Sequence, residues 1–161
     1  MKTLRTSGRL AVIFVMACGH ARPPEPPAPA IPKPVVQLAV IPADSDVFPA
    51  AARAVSESLA AAKVTGTDET KVSKVSLEIV QLSVECVEPT SACYEAIGRS
   101  MAANRLLFAR IDSGATKRQL KVTVTLYDVD AKTEVRSAEK LFASEDEATT
   151  GAAALVDEVT R

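Results

Sequence analysis

Few side chains of this chain could build a catalytic or metal site. The 161 residues include one histidine, His20, and three cysteines, Cys18, Cys86 and Cys93. Nucleophilic triads and most zinc sites need histidine or clustered cysteine ligands, and His20 lies in a proline-rich segment beside Cys18. No dinucleotide fingerprint and no aromatic-basic surface is present either. We therefore expect no cofactor, no metal, no nucleic acid, no evident small-molecule substrate and no enzymatic activity.

Two pairs of aspartates are the remaining candidates for acid-base chemistry. Asp44 and Asp46 precede a predicted helix, whereas Asp128 and Asp130 lie in a predicted turn. Aspartate at such positions usually accepts hydrogen bonds from nearby backbone N–H groups, which is the interpretation we favour. A small hydrolase with a carboxylate-only site would instead require these groups to cluster in a concave pocket with raised pKa values.

Two further motifs resemble catalytic or phosphate-binding patterns only by spacing. Ser137 and Lys140 match the Ser-x-x-Lys spacing of penicillin-binding enzymes, but the predicted strand would point them to opposite faces. The segment 114–118 contains Gly114 and two basic residues without the spacing of a phosphate-binding loop. We expect it to be a solvated turn.

Cys18 is the residue whose surroundings predict a covalent modification. Three basic residues lie within positions 1–9, and residues 10–17 are uncharged and mostly apolar. This is the pattern of a secretory signal peptide, too short to remain as a membrane-spanning helix. Because a cysteine follows Ala17, the segment resembles the lipobox of bacterial lipoproteins, which implies cleavage of residues 1–17 and lipidation of Cys18. An ordinary signal peptide with an incidental cysteine is the alternative.

The resemblance to lipoproteins also implies a location. Gly19 follows Cys18, where an aspartate would signal retention in the inner membrane of enteric bacteria. We therefore expect a lipid anchor in the outer membrane, with the protein facing the periplasm.

Cys86 and Cys93 form an even pair once Cys18 carries lipid. They flank the turn-forming segment Glu88–Ser91. Two cysteines close in sequence in an oxidising compartment usually form a disulfide bond. Two reduced, buried thiols that serve as small apolar residues are the alternative.

The chain divides into a leader, a linker and one domain. Residues 23–34 contain seven of the ten prolines, so residues 18–34 predict a lipidated cysteine followed by an extended, semi-rigid linker. Residues 35–161 are the right size for one domain. With 47% apolar residues and no tryptophan, its core must consist of valine, leucine, isoleucine and alanine. Loss of residues 1–17 leaves a mildly acidic chain, which does not indicate a polyanionic partner.

Apolar periodicity and turn signals predict nine elements in the order β-α-β-α-α-β-β-β-α. The order indicates an α+β fold with helices packed on one face of a small mixed sheet. The expected elements are a strand at 35–41, a helix at 47–62, a short edge strand at 64–65, helices at 67–86 and 91–101, strands at 106–111, 120–127 and 134–142, and a helix from 144 to the C-terminus.

Several boundaries depend on expected caps. The spacing of Val72, Val75 and Ile79 favours a helix over a rival strand pair. We expect Asp44, Ser45 or Asp46 to cap the start of the first helix, whose buried face begins at Val47. For the helix at 91–101 we expect Thr90 or Ser91 as the N-cap and Asn104 as a left-handed C-cap. Ser144 with Glu147 should form a capping box at the start of the last helix.

Three segments resemble the N-terminal domain of TolB and related envelope lipoproteins. They are Leu38–Pro42, Cys93–Leu107 and Leu120–Asp130. The resemblance implies action through protein contacts, as in the Tol-Pal envelope system or in LpoB-type activators of peptidoglycan synthases. We therefore expect a non-catalytic adaptor with an envelope protein as its partner. A structural or secretion-pore component similar to CsgG is the alternative, although the strand-forming insertions of such a pore are not evident.

Overall fold

The structure of this chain is a computed structural model that describes residues 35–86 and 88–161. The predictions for the leader 1–17, for Cys18 and for the proline-rich linker lie outside the described residues. Lys33–Arg161 form one compact unit, and both hydrophobic cores of this unit consist of described residues. The unit therefore contains what it needs to fold separately from the segment before it.

The described residues form a five-stranded sheet and four helices in the predicted order, which confirms the α+β class. The elements are β1 (Gln37–Ile41), α1 (Pro49–Ala61), β2 (Glu69–Val72), α2 (Leu77–Ser83), α3 (Ser91–Ser100), β3 (Arg105–Ser113), β4 (Leu120–Asp128), β5 (Thr133–Phe142) and α4 (Glu145–Thr160).

The sheet is mixed, with the strand order β2-β1-β3-β4-β5. β1 is parallel to both β2 and β3, whereas β3, β4 and β5 form an antiparallel meander. β1, β3 and β5 consequently run in the same direction. The sheet therefore has one end where β1 begins, which we call the proximal end, and a distal end where β1 stops and β3 turns into β4.

Helices cover both faces of the sheet, so the prediction that they lie on one face is wrong. α1 and α4 pack on the face that carries Leu38 and Leu107. α2 and α3 pack on the opposite face, against Ala39 and Leu106. The reason is that β1 and β3 are apolar without alternation, and a strand that is apolar on both sides must be covered on both sides.

The predicted helix at 67–86 is confirmed only at Leu77–Ser83, because the first part of its range is the edge strand β2. Residues Glu69–Val72 pair with Gln37–Val40 of β1, and the N–H of Ser73 donates to the carbonyl of Val40. Residues 69–72 form a strand despite their helical spacing, because the backbone groups at the free edge of β1 need hydrogen-bond partners. Only an extended segment supplies these partners. The expected edge strand at 64–65 is not a strand, and Val64 instead packs into the core beside α1.

Two of the four expected caps are confirmed. The side chain of Thr90 accepts a hydrogen bond from the N–H of Cys93 at the start of α3. Ser144 accepts from the N–H of Glu147 at the start of α4, and the Glu147 carboxylate accepts from the N–H of Ala143. These caps hold because donor and acceptor lie within four residues of each other.

The other two expected caps are wrong. α1 begins at Pro49 after Phe48, and neither Asp44 nor Asp46 caps it; Ser45 accepts from the N–H of Phe48 instead. The residue with a left-handed conformation after α3 is Ala102, with φ of 52°, and not Asn104. Asn104 instead lies directly before β3, where its side chain has a tertiary role described below.

Candidate functional site

The two aspartate pairs lie at opposite ends of the sheet. Asp44 and Asp46 follow β1 at the distal end, whereas Asp128 and Asp130 flank the β4–β5 turn at the proximal end. Asp128 accepts a hydrogen bond from the N–H of Ala131 at 2.8 Å, which is the turn role expected of it. These four carboxylates therefore form no common site.

The structure also separates the other motifs with chemical spacing. The hydroxyl of Ser137 lies 3.2 Å from that of Thr125 on one face of the sheet. Lys140 lies on the opposite face, 4.8 Å above the ring of Phe142. Within the described residues, no group of three or more histidine, cysteine, aspartate or glutamate side chains has the arrangement of a metal site.

Cys86 and Cys93 are joined by a disulfide bond, with their Cα atoms 5.5 Å apart. The bond links the residues after α2 to the first turn of α3. α2 itself buries only two side chains, Leu77 and Val80, against the sheet. The disulfide is therefore a main restraint on the position of this short helix.

Three side chains form a charged cluster at the proximal end, with a half-buried Glu95 between the exposed Lys132 and Arg99. The Glu95 carboxylate is 2.9 Å from Lys132 Nζ and 2.9 Å from Arg99 Nη1. The hydrogen bond from Lys132, reinforced by the charge of Arg99, holds the pKa of Glu95 below its ordinary value. Exposed ion pairs of this kind contribute little stability and indicate a solvated surface.

The distal end carries the clearest candidate for a protein-contact surface. We define the distal surface by Val47, Lys117, Arg118, Glu145 and Asp146, which line one groove of about 290 Å³ together with Phe48 and Ser144. A second groove of about 450 Å³ lies between Val47 and residues 113–117 of the β3–β4 hairpin. The surface thus combines an apolar centre with both signs of charge.

Val47 is the residue of this surface that the sequence analysis assigned wrongly. Its spacing predicts a place on the buried face of α1, but its side chain is 64% exposed. The helix starts two residues later, at Pro49, so Val47 belongs to the preceding loop. The loop places it between the two grooves. Pro49 is the local signal that indicates this, because proline favours the first position of a helix and so leaves Val47 outside it.

A second exposed apolar surface lies on α2. Val75, Ile79 and Leu82, which we call the α2 stripe, are 41%, 51% and 71% exposed. Ile79 and Leu82 lie three residues apart on one side of α2, and Val75 lies just before the helix begins. The spacing of Val75 and Ile79 predicts one face of a longer helix, and that face is exposed because the helix begins only at Leu77, after β2 has formed.

No family model and no curated protein sequence matches this chain. Solved structures that are similar include a PelC dodecamer from Paraburkholderia phytofirmans, with 15% identity over 79% of this chain and 90% of that chain and a TM-score of 0.44. The LpoB C-terminal domain from Salmonella enterica has 14% identity over 71% of this chain and 87% of that chain, with a TM-score of 0.41. TolB from Acinetobacter baumannii has 14% identity over 78% of this chain but only 27% of that chain, with a TM-score of 0.40. The proteins named in the sequence analysis for their resemblance, LpoB and TolB, are thus among the structural neighbours.

Within the residues that the structure describes, no helix has the length and apolar content needed to cross a bilayer.

Proposed function

We propose that this protein is a non-catalytic adaptor of the cell envelope, anchored in the outer membrane through a lipid on Cys18. The proline-rich linker holds the domain off the membrane on the periplasmic side. The domain binds an envelope protein that takes part in envelope assembly or maintenance, as its sequence resemblance to TolB-type and LpoB-type domains implies.

The observation that carries this proposal is the exposed position of Val47 at the distal end. The linker enters the domain at Val35, ahead of β1, at the proximal end. The distal surface is consequently the part of the domain farthest along the sheet from the attachment point. An apolar side chain between charged rims has the composition of a protein-binding patch, with an apolar centre and a polar edge.

A crosslinked pull-down from envelopes tests the adaptor role. The bait is the compact unit 33–161. The matched variants are Val47→Glu and Val135→Glu, since Val135 is also exposed, at 46%, but lies near the start of β5 at the proximal end. We expect the unchanged unit and Val135→Glu to capture the same envelope protein, a peptidoglycan synthase or a Tol component, and Val47→Glu to lose it. Equal capture by both variants, or recovery of no envelope protein, would contradict the proposal.

The anchor has a separate test in the full chain. The native protein should lack its initiating methionine and partition into the detergent phase of an extraction, and Cys18→Ala should abolish both properties. An uncleaved chain that stays in the aqueous phase would show that Cys18 is not lipidated.

A further inference from the structure

A cavity of about 330 Å³ at the proximal end brings three arginines together. It lies on the α1–α4 side of the sheet, between the end of α4 and the first residues of β3 and β5. We call it the arginine pocket, after Arg105, Arg136 and Arg161, which line it. Among the described residues that line this cavity, none is an aspartate or a glutamate.

Arg105 is the least exposed of the three charges. Its side chain is 24% exposed, and its Nη1 donates to the carbonyl of Thr65 at 3.2 Å. Its Nε is closed off from water and has no hydrogen-bond partner among the described residues, since the carboxylate of Asp128 is 3.8 Å away. A guanidinium group that has lost water and is only partly paired is stabilised by a further anion beside it.

Arg136 and Arg161 differ in how far their charges are neutralised. Arg161 is 80% exposed, and its Nη2 lies 3.0 Å from the carboxylate of Asp157. Arg136 Nη1 donates to the backbone carbonyl of Arg161, and among the described residues no side-chain carboxylate forms an ion pair with Arg136. Arg136 therefore reaches an oxygen acceptor at the pocket while its charge is not balanced by an acidic side chain.

The rest of the pocket is mainly apolar. Val64, Leu126 and Val159 are buried core residues that also border the cavity, and Val135 lies at its rim with 46% of its side chain exposed. A concave site with apolar walls and a few convergent polar groups is typical of small-ligand binding, and this volume is at the lower end of the usual range. A small hydrated anion would make no use of the apolar walls.

We propose that the arginine pocket binds the free carboxylate end of a short peptide with small apolar side chains. The planar guanidinium group matches a carboxylate, which can accept two parallel hydrogen bonds from it. The carboxylate of the ligand lies between Arg105 and Arg136, where it offsets the incomplete pairing of both groups. The apolar side chains of the ligand contact Leu126 and Val135.

This inference goes beyond the proposed function and concerns a different part of the domain. The pocket lies where β3 and β5 begin, whereas the distal surface lies where β1 ends. Val135→Glu should abolish binding of the peptide, because it adds a negative charge at the rim, and should leave capture of an envelope protein unchanged. Val47→Glu should have the opposite effects, so the two proposals succeed or fail separately.

Calorimetric titration of the unit 33–161 with acetyl-dialanine, which has a free carboxylate, tests the site. We expect a dissociation constant of about 1 mM, as suits so small a ligand. The carboxamide of the same peptide should bind at least about tenfold more weakly, because it lacks the charge. Acetate and inorganic phosphate should also bind at least about tenfold more weakly, because neither reaches the apolar walls. Equal binding of acetate or phosphate would show a general anion site and overturn the proposal.

Variants of the arginines test which side chains hold the carboxylate. Arg136→Gln should raise the dissociation constant at least about fivefold, and Arg105→Lys, which keeps the charge but loses the planar group, at least about threefold. Arg110→Gln is the matched control and should leave binding unchanged, since Arg110 is on β3 five residues after Arg105 and so faces the other side of the sheet.

Thermal unfolding checks that each variant is folded before its titration. Absence of peptide binding up to about 10 mM would overturn the proposal. Equal affinity for the peptide and its carboxamide, or equal effects of Arg136→Gln and Arg110→Gln, would overturn it as well.

Discussion

The carboxylate of Glu145 caps the N-terminus of a helix other than its own. Glu145 is the first residue of α4, and its Oε1 accepts hydrogen bonds from the backbone N–H groups of Ala50 and Ala51 in α1, at 2.6 and 3.1 Å. Neither N–H has a partner within its own helix, because the first turn of any helix leaves its donors free. Glu145 therefore joins the starts of α1 and α4 at the distal end.

Removal of this carboxylate should destabilise the domain. We expect Glu145→Ala to lower the free energy of unfolding by about 1–2 kcal/mol, the usual contribution of an N-cap. Asp146→Ala is the control, since Asp146 is also in the first turn of α4 but makes no hydrogen bond to α1. This variant should lower the free energy of unfolding by about 0.5 kcal/mol, through the helix dipole alone. Urea unfolding measures both values, and equal losses would show that the contact with α1 does not matter.

Asn104 should be a second polar residue with a measurable structural role. Its side-chain oxygen accepts from the N–H of Gln37 at 3.0 Å, and its amide nitrogen donates to Asp130 at 2.9 Å. It thereby links the starts of β1 and β3 to the β4–β5 turn. We expect Asn104→Ala to lower the free energy of unfolding by about 1–2 kcal/mol, because the partly buried N–H of Gln37 loses its acceptor.

The matched variant for Asn104 is Asp130→Ala, which removes only the exposed half of this link. It should change the free energy of unfolding by less than about 0.5 kcal/mol. The interpretation fails if the two variants are equally unstable in thermal or urea unfolding.

The disulfide should stabilise the domain and hold α2 in place. Chain-entropy estimates for a closed loop of this length give about 2.5 kcal/mol, less than the roughly 3 kcal/mol of a fifteen-residue loop. We expect Cys86→Ala with Cys93→Ala to lower stability by about this amount and to increase hydrogen exchange in α2 before other elements. Reductant should destabilise the unchanged domain and leave the double variant unaffected; no effect of reductant on the unchanged domain would contradict the prediction.

Tyr94 and Tyr127, the only tyrosines of the chain, predict a loss of stability at alkaline pH. Burial raises the pKa of both hydroxyls above the ordinary value of 10.0. Because ionisation of these hydroxyls is harder in the folded state, their contribution to stability is fully present below pH 10.0. The contribution is lost as the pH rises through the folded-state pKa. Absorbance titration should therefore show that both tyrosines ionise at a higher pH in the folded than in the unfolded protein.

Tyr127→Phe removes the hydroxyl and keeps the ring, so it tests the two groups separately. The hydroxyl of Tyr127 is buried without a hydrogen-bond partner among the described residues, whereas its ring lies 4.8 Å from that of Tyr94. The variant should match or slightly exceed the stability of the unchanged domain at neutral pH, and should retain more of it at about pH 10.5. A large loss at neutral pH would show that the hydroxyl has a role in the folded state.

Features that depend on neighbouring residues were predictable from the sequence. The alternation from Leu120 to Leu126 predicts a half-buried strand, and β4 has this pattern at Leu120–Val124. The capping box of Ser144 with Glu147 and the cap at Thr90 were correct for the same reason. In each case donors, acceptors or alternating side chains lie within a few residues, so local chemistry alone decides the outcome.

Most of the misassigned features depend on groups distant in the chain. Residues 69–72 are a strand because β1, about thirty residues earlier, offers a free edge. Asn104 bonds to Gln37, and the start of α1 is capped by Glu145 rather than by Asp44 or Asp46. The sequence by itself determined the α+β class, the order of the elements and the caps made by close neighbours. Only the tertiary structure decided which side of α2 stays exposed, because residues 69–72 leave the expected helix to pair with β1 and the remaining short helix turns Ile79 and Leu82 outward.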